Sequence, residues 1–390
     1  MGENRAAKAN VLIIGNSGVG KSTLVNAVLG EDRAEVSFGT KGTTEELHLY
    51  EKEDLPFRVI DTVGFEPSFF KRRAAIHAIR QWSRNSAKDG KTDTQINVIW
   101  FCVPGTAGKL FPETIHSLSQ ATSMWPSVPI ITVITKSFSV PDREKNIELV
   151  NSVFSSQSHR KNLRKIIPVV AATFTLNENA YAAPEGITEL IDATNELLPE
   201  GYQTAEKDIA RFKLKRKRAL AQGIVTAATG SGIVVGAVPI PIPDAAILIP
   251  VEAAEINALA KLYGINNDEE SRKFLNSIVE VGTVSLAAKT ALNALKAIPV
   301  INLGAAALNA IFAGAIIAVL GEGSIAAFEQ VYLGNRSVED LDWIKQFMES
   351  KLTADFVEKL KVAVSQSKDG MSPKKIIEIV LGIFTQGKTA

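Results

Sequence analysis

Side chains that form disulfides or bind metal ions are scarce in this chain, which has one cysteine and four histidines among 390 residues. The single cysteine, Cys102, excludes an intramolecular disulfide and favours a reducing, cytosolic setting. It lies in the apolar run INVIWFCV, so we expect an inert thiol in a core. The histidines are scattered over the first half of the sequence and form no cluster with metal-ligand spacing.

Net charge is nearly absent as well. The chain carries 43 Lys and Arg against 42 Asp and Glu, a formal net charge of +1, so bulk charge indicates no particular partner. Apolar residues make up 46% of the sequence and charged residues 22%, which excludes a disordered chain and indicates a globular one. A length of 390 residues favours two domains. The first stretch, MGENRAAKAN, is polar, and we expect no signal segment in it.

The first half of the sequence predicts an α/β domain. Short apolar runs alternate with helical stretches up to about residue 200, a pattern that predicts a doubly wound, mostly parallel sheet. Most of the runs are continuously apolar, as expected for strands that helices cover on both faces. The expected strands are 10–15, 46–51, 57–61, 96–103, 129–135 and 165–172, and the expected helices are 21–30, 68–84, 107–123, 141–157 and 184–198.

The second half predicts an all-α domain. Strand patterns end near residue 200, and Ala, Ile, Leu and Val dominate long helical stretches that Gly and Pro interrupt. Amphipathic helices follow from residue 337, and we expect them to pack on the helical domain. The expected divisions are 1–200 for the α/β domain, 201–336 for the apolar helical domain and 337–390 for the amphipathic tail.

Residues 15–22 read GNSGVGKS, which matches the P-loop pattern Gly-x4-Gly-Lys-Ser between a strand and a helix. Its glycines allow backbone N–H groups to surround phosphates, and the following helix adds its positive N-terminus. Lys21 is expected between the β- and γ-phosphates, and the hydroxyl of Ser22 on Mg²⁺. The expected nucleotide-binding residues of this segment are Gly15, Asn16, Ser17, Gly18, Val19, Gly20, Lys21, Ser22 and Thr23.

Two further segments would complete a triphosphate site. In DTVGF, directly after the strand FRVI, Asp61 is expected to hold Mg²⁺ through a water and the N–H of Gly64 to contact the γ-phosphate. The polar segment FGTKGTTEE, residues 38–46, is expected to be flexible and offers Thr43 and Thr44 as a switch hydroxyl. We favour Thr44 as the further Mg²⁺ ligand because it lies closer to the next strand. The expected catalytic residues are therefore Lys21, Thr44 and Gly64.

Together with TKSF at 135–138, these motifs resemble the Era-like GTPases of the translation-factor-related P-loop class over about residues 10–200. The resemblance implies a GTP/GDP switch with Mg²⁺ as its cofactor, in which Thr44 and Gly64 sense the γ-phosphate. It also implies that Thr135 and Lys136 lie at the base and that Ala172 lies in the last nucleotide loop.

Two residues depart from that resemblance. Phe65 follows the switch glycine, where Ras-like enzymes carry a glutamine that orients the attacking water. We therefore expect slow intrinsic hydrolysis unless an activating partner, a potassium ion or a second protomer completes the site. Phe138 replaces the aspartate that accepts hydrogen bonds from guanine, which leaves ATP as an alternative to GTP. Asp142 could replace that carboxylate only if the intervening loop folds back.

The helical half contains two stretches of 25 residues without a charge, 219–243 and 297–321. Each is long enough to cross a bilayer as a helix, but both are rich in Ala and interrupted by Pro, so a buried helical hairpin is an alternative. The basic run RFKLKRKR, residues 211–218, precedes the first stretch. It indicates either an anionic membrane surface bound by residues 211–243 or a solvated linker helix. Nucleic acid is a poorer match, because only Phe212 interleaves with the charges.

Residues 237–265, AVPIPIPDAAILIPVEAAEINALAKLYGI, resemble an uncharacterised helical domain that is often found C-terminal to Era-like GTPases. The likeness covers about residues 205–335 and implies a membrane role without known chemistry. The sequence thus predicts a Mg²⁺-dependent GTPase switch coupled to a helical effector domain, in the cytoplasm or at the inner face of a membrane. The alternatives are an ATPase with the same site and a nucleotide-stabilised membrane or scaffold protein with negligible turnover.

Overall fold

A computed structural model describes residues 8–30, 34–39, 46–62, 95–106, 112, 115, 127–157, 160–177, 180–200, 206–237, 248–284, 303–351, 354–368 and 370–385. The chain forms two compact units. Unit 1 comprises residues 1–172 and 184–216, and unit 2 comprises residues 173–183 and 217–390. The expected domain divisions at residues 200 and 336 stay predictions.

Unit 1 is built on a seven-stranded sheet with the strand order β2-β3-β4-β1-β5-β6-β7. The central strand β1 pairs in parallel with β4 and β5, and β5, β6 and β7 continue the parallel ladder. Among the described strands of this sheet, β3 alone runs antiparallel to its neighbours, β2 and β4. The expected mostly parallel sheet is therefore confirmed. The strands are β1 Ala9–Ile14, β2 Ala34–Gly39, β3 Glu46–Glu51, β4 Phe57–Thr62, β5 Ile96–Pro104, β6 Ile130–Thr135 and β7 Leu163–Pro168.

Helices cover this sheet, and their side chains explain why the strands are apolar. Every residue of β1 and β6 is buried, as the continuous apolar runs predict. Trp100 of β5 is fully buried and donates its indole N–H to the hydroxyl of Thr194 at 3.0 Å. The described helices of unit 1 are α1 Lys21–Leu29, α2 Val140–Ser155 and α3 Ile187–Leu197, and α4 Glu206–Gly236 begins here.

The strand order positions a ligand site at the end of β1. The chain adds β4 on one side of β1 and β5 on the other, so the order of the strands reverses at this point. In open α/β sheets, ligands bind outside the carboxyl ends of the strands at such a reversal. The loop that leaves β1 here is GNSGVGKS, residues 15–22.

Unit 2 is mostly helical, and its longest helix lies in the core. Helix α7, Ala305–Tyr332, packs against α5, α6 and the three helices that follow it. Within α7 all residues from Asn309 to Gly321 are buried. The other elements of unit 2 are the continuation of α4, the hairpin β8 Phe174–Asn177 with β9 Ala180–Ala182, α5 Ile249–Tyr263, α6 Glu269–Val284, α8 Leu341–Glu349, α9 Ala354–Gln366 and α10 Pro373–Phe384.

Two described helices, Asp208–Gly236 within α4 and the whole of α7, are long and apolar enough to cross a membrane by length and composition. Their most apolar windows have mean hydropathies of 1.4 and 2.0, and these windows are 50% and 89% buried within the protein. Gly314 lets the two helices approach closely, because a Cβ atom there would lie 2.5 Å from Cγ1 of Ile233. Core helices of soluble proteins meet the same criteria.

Candidate nucleotide-binding site

The loop between β1 and α1 has a backbone that requires glycine at three positions. Gly18 and Gly20 have φ angles of 75° and 100°, in the left-handed region that residues with a Cβ atom rarely adopt. Gly15 has a different reason, because a Cβ atom there would lie 2.7 Å from the carbonyl oxygen of Cys102 on β5. The loop therefore follows the sheet closely and turns sharply into α1.

Lys21 folds back over this loop. Its side chain is buried, and its ammonium donates to the carbonyl oxygens of Gly15 at 2.9 Å and Asn16 at 3.3 Å. Ser22 and Thr23 are exposed in the first turn of α1. No side chain caps the N-terminus of this helix, so its positive end is available to an anion.

Asp61 lies buried near the end of β4, opposite Ile13 of β1. Its charge and that of Lys21 both act on the buried thiol of Cys102 on β5. Burial raises the pKa of Cys102 to about 12; the charge of Lys21 lowers this pKa and that of Asp61 raises it. A thiol with such a pKa stays protonated at neutral pH, in agreement with the expected inert core cysteine.

The TKSF segment is hydrogen-bonded to the P-loop. The hydroxyl of Thr135 lies 2.6 Å from the carbonyl oxygen of Val19, and the ammonium of Lys136 donates to the carbonyl oxygen of Gly18 at 2.7 Å. Lys136 has a φ angle of 53°, the only positive φ of a non-glycine residue among those described. Residues 116 and 118 positions apart in sequence thus bring the two motifs into one continuous surface beside β1.

The segment after β7 joins the same surface. The N–H of Val169 donates to the carbonyl oxygen of Ile134 at 2.8 Å, and its own carbonyl accepts from the N–H of Ser137 at 3.2 Å. Ala172, predicted in the last nucleotide loop, is exposed three residues further along. These contacts connect the two loops that the resemblance assigns to the base.

Two residues of this surface were not predicted from the sequence. The guanidinium of Arg143 donates to the carbonyl oxygen of Ser137 from Nε at 3.0 Å and from Nη2 at 2.8 Å. Its Nη1 forms an ion pair with Glu185 at 2.6 Å. Arg143 and Glu185 are 42 positions apart, and no local pattern in the sequence signals the pairing.

Asp142 does not fold back over the base loop. It is exposed in the first turn of α2, where its carboxylate accepts a hydrogen bond from the hydroxyl of Ser139 at 2.6 Å. Phe138 is half-buried, and its N–H donates to the carbonyl oxygen of Lys136 at 2.8 Å. Thr43, Thr44, Gly64 and Phe65 lie outside the described residues, so their roles stay predictions.

The residues present fit a Mg²⁺ ion that is shared with a nucleotide. Ser22 and Asp61 supply hydroxyl and carboxylate oxygens, the ligand type that Mg²⁺ prefers. Among the described residues, no group of three or more His, Cys, Asp or Glu side chains could hold a metal ion by itself. Mg²⁺ in nucleotide sites is typically held by one or two protein ligands together with phosphate oxygens, so this sparse set is sufficient.

Comparison with known families identifies the domain that carries this candidate site. Residues 10–136 match the family of 50S ribosome-binding GTPases. The chain carries an Era-like GTPase domain. Residues 202–353 match a separate domain of unknown function (DUF697). The predicted fusion of an Era-like GTPase domain to an uncharacterised helical domain is confirmed.

Relatives of this GTPase domain cover only part of the chain. GTPase Der from Persephonella marina is 28% identical over 200 residues, which are 50% of this chain and 40% of that protein. GTPase Era from Clostridium botulinum is 26% identical over 202 residues, which are 51% of this chain and 59% of that protein. The chain thus spans less than two thirds of these curated relatives. A solved structure of Aquifex aeolicus Era bound to GDP and AlF4⁻ is 20% identical, covers 57% of this chain and 67% of that chain, and has a TM-score of 0.34.

Proposed function

We propose that the chain is a Mg²⁺-dependent switch that binds GTP, hydrolyses it slowly without a partner and transmits its nucleotide state to the helical unit. The observation that carries this proposal is the bonding of Thr135 and Lys136 to the P-loop carbonyls of Val19 and Gly18. We assign both the phosphates and the base to this contiguous surface. The likeness to GTPases Era and Der supports guanine as the base.

In this mechanism Lys21 binds and orients the phosphates. Its ammonium exchanges the carbonyls of Gly15 and Asn16 for oxygens of the β- and γ-phosphates, and the N-terminus of α1 adds a positive dipole. Ser22 and Asp61, with Thr44, would hold Mg²⁺, which supplies positive charge to the phosphate oxygens when bound. A water attacks the γ-phosphorus in line, GDP leaves, and inorganic phosphate is released. A phenyl side chain at position 65 has no group that could orient that water, so we expect slow turnover.

Lys21→Ala tests the site. We expect this variant to lose GTP binding by calorimetry and phosphate release, because the buried ammonium is removed from the loop. Lys165→Ala is the matched control, since Lys165 forms an exposed ion pair with Glu196 on the same unit. If the wild type binds ATP more tightly than GTP, the protein is the alternative ATPase and not a GTPase. Unchanged turnover in Lys21→Ala would overturn the proposed site.

Slow turnover is tested by phosphate release with potassium in place of sodium and by light scattering in the presence of GTP. Faster release with potassium, or a nucleotide-dependent dimer with faster release, would identify what completes the site. Phosphate release that stays at background under all of these conditions would favour a nucleotide-stabilised scaffold without turnover.

We propose, as a second function, association with an anionic membrane through residues 211–243. The observation in its favour is that half of the apolar window of α4 is not buried within the protein. Three residues of the basic run form ion pairs within the protein that would compete with lipid head groups. These pairs are Lys213 with Asp192, Lys215 with Asp54 and Arg218 with Glu329. Flotation of the full chain with phosphatidylserine vesicles and with phosphatidylcholine vesicles tests this function. No flotation with either lipid would assign α4 and α7 to a soluble bundle.

A further inference from the structure

The backbone of the TKSF loop, residues 135–138, is held in a conformation that needs support. Lys136 has a positive φ, which an L-residue adopts at an energetic cost. The next residues form a tight turn, because the N–H of Phe138 bonds to the carbonyl of Lys136 two residues earlier. This geometry directs the carbonyl of Ser137 towards α2, where Arg143 binds it.

Arg143 donates two hydrogen bonds to that carbonyl. Nε and Nη2 reach the oxygen of Ser137 at 3.0 and 2.8 Å, so the orientation of the peptide between Ser137 and Phe138 is fixed. The third guanidinium nitrogen, Nη1, forms an ion pair with the carboxylate of Glu185 at 2.6 Å. The side chain of Arg143 is 15% exposed and that of Glu185 is 30% exposed, so the pair is partly shielded from solvent.

Glu185 extends this support to the second base loop. Its backbone N–H and carbonyl pair with Val170 at 2.9 and 3.0 Å in an isolated antiparallel bridge. Val170 directly precedes Ala171 and Ala172, and Val169 bonds to the N–H of Ser137. One ion pair thus connects the segment 135–138 with the segment 169–172.

Phe138 makes this connection relevant to the base. A phenyl ring cannot accept the hydrogen bonds of a guanine, and the carboxylate of Asp142 accepts a hydrogen bond from Ser139 instead. We therefore assign the polar contacts that distinguish one base from another to backbone groups of the two loops.

Arg143 contacts both loops, through the carbonyl of Ser137 in the first and through Glu185, whose backbone pairs with Val170, in the second. We propose that Arg143 is a positioning residue that sets the preference for guanine over adenine, and that Glu185 holds Arg143 in place. This inference rests on the proposed function.

The test measures the dissociation constants of GTP and ATP for the full-length wild type, Arg143→Gln and Arg143→Lys by competition against a fluorescent GDP analogue. We expect both variants to reduce the ratio of GTP to ATP affinity by about ten-fold or more. Lysine is included because an ammonium cannot reproduce two parallel donors and an ion pair at once. Arg164→Gln, an exposed arginine on β7, is the matched control and should leave the ratio unchanged.

Equal losses of GTP and ATP affinity, or a lower melting temperature with an unchanged ratio, would assign Arg143 a structural role and overturn the inference. If Arg143→Gln fails to fold, Glu185→Gln serves instead, because it removes the ion pair that orients the guanidinium while it keeps the arginine, and it should reduce the ratio in the same direction. A wild type that binds no nucleotide refutes the proposed function itself. A wild type that binds GTP and ATP equally refutes the inference and leaves the phosphate site intact.

Discussion

At Gly15 the P-loop passes so close to β5 that no side chain fits. We predict that Gly15→Ala weakens GTP binding and destabilises unit 1 by about 1–3 kcal/mol, because the new methyl group would meet the backbone carbonyl of Cys102. Calorimetric titration and thermal denaturation measure the two effects. Gly382→Ala is the control, since a Cβ atom at that position of α10 has no neighbour within 4 Å. A Gly15→Ala protein with wild-type affinity would show that the loop does not hold the phosphates.

Replacing Phe138 by aspartate should increase the preference of the site for guanine. Phe138→Asp should raise the preference for GTP over ATP by about ten-fold or more, because a carboxylate can pair with the guanine N1–H and 2-amino groups. The half-buried position of Phe138 beside Lys136 allows this exchange without emptying a core. Competition binding of GTP and ATP provides the measurement, with Phe138→Leu as the control for the loss of the ring. If the preference for GTP over ATP does not change, the base does not lie beside residue 138.

The candidate site residues that the sequence proposes lie in contiguous motifs, because a P-loop needs its glycines, Lys21 and Ser22 in a fixed local order, and their roles stay predictions. It did not predict Arg143 and Glu185, which meet only after β6, α2 and the segment following β7 have folded together. It left the role of Asp142 open, and the structure shows that this residue belongs to the start of α2.

Among the secondary-structure elements, continuous apolar runs predicted the buried strands well, but the strand β2 at the edge of the sheet was predicted poorly. β1 and β6 were expected within one residue of their bounds, because both are buried along their whole length. β2, Ala34–Gly39, was missed, and Phe38 and Gly39 at its end were assigned to a flexible segment. The alternation of small or apolar residues with polar ones in AEVSFG is a strand signal, but it is weaker than a continuous apolar run. The hairpin of β8 and β9 was also missed.

Helix α5 carries two buried acidic side chains in an otherwise apolar bundle. Glu252 and Glu255 are fully buried, and their carboxylate oxygens have no hydrogen-bond partner among the described residues. Burial raises the pKa of Glu252 to about 8. Burial, with the nearby charges of Glu252 and Glu322, raises the pKa of Glu255 well above its ordinary value. Both groups are therefore protonated in the folded protein at neutral pH.

These two groups predict that unit 2 loses stability as pH rises. The unfolded chain releases both protons above about pH 4.3, whereas the folded protein retains them, so the free energy of unfolding should fall from about pH 5 to about pH 8 by a few kcal/mol. Above the folded pKa of Glu252 its contribution to this decrease ends. Glu252→Gln with Glu255→Gln should abolish most of the pH dependence, as measured by urea denaturation from pH 5 to 9.

The matched control for that measurement is Glu270→Gln, an exposed position on α6, which should retain the wild-type pH profile. A double variant that loses stability between pH 5 and 8 as steeply as the wild type would show that the two carboxylates are ionised in the folded state. In that case, a cation or ordered water would have to compensate their charge.

Among the residues that the structure describes, each unit contains a hydrophobic core of its own. One is formed around the sheet of unit 1 by residues such as Leu12, Phe101 and Ile134. The other lies among the helices of unit 2 and includes Ala228, Val251 and Ile317. A core of its own allows each unit to unfold as a cooperative block, and a ligand stabilises only the block that holds its site.

We therefore predict two thermal transitions by differential scanning calorimetry. GDP at a hundred times its dissociation constant should stabilise the unit 1 transition by about 2.7 kcal/mol and leave the other in place. Glu252→Gln with Glu255→Gln should shift only the second transition, upwards at pH 8, which assigns each peak to its unit. Lys21→Ala should keep both transitions and lose the GDP shift. A single transition that GDP and the Glu variants both move would mean that the continuous helix α4, Glu206–Gly236, joins the two cores into one cooperative unit.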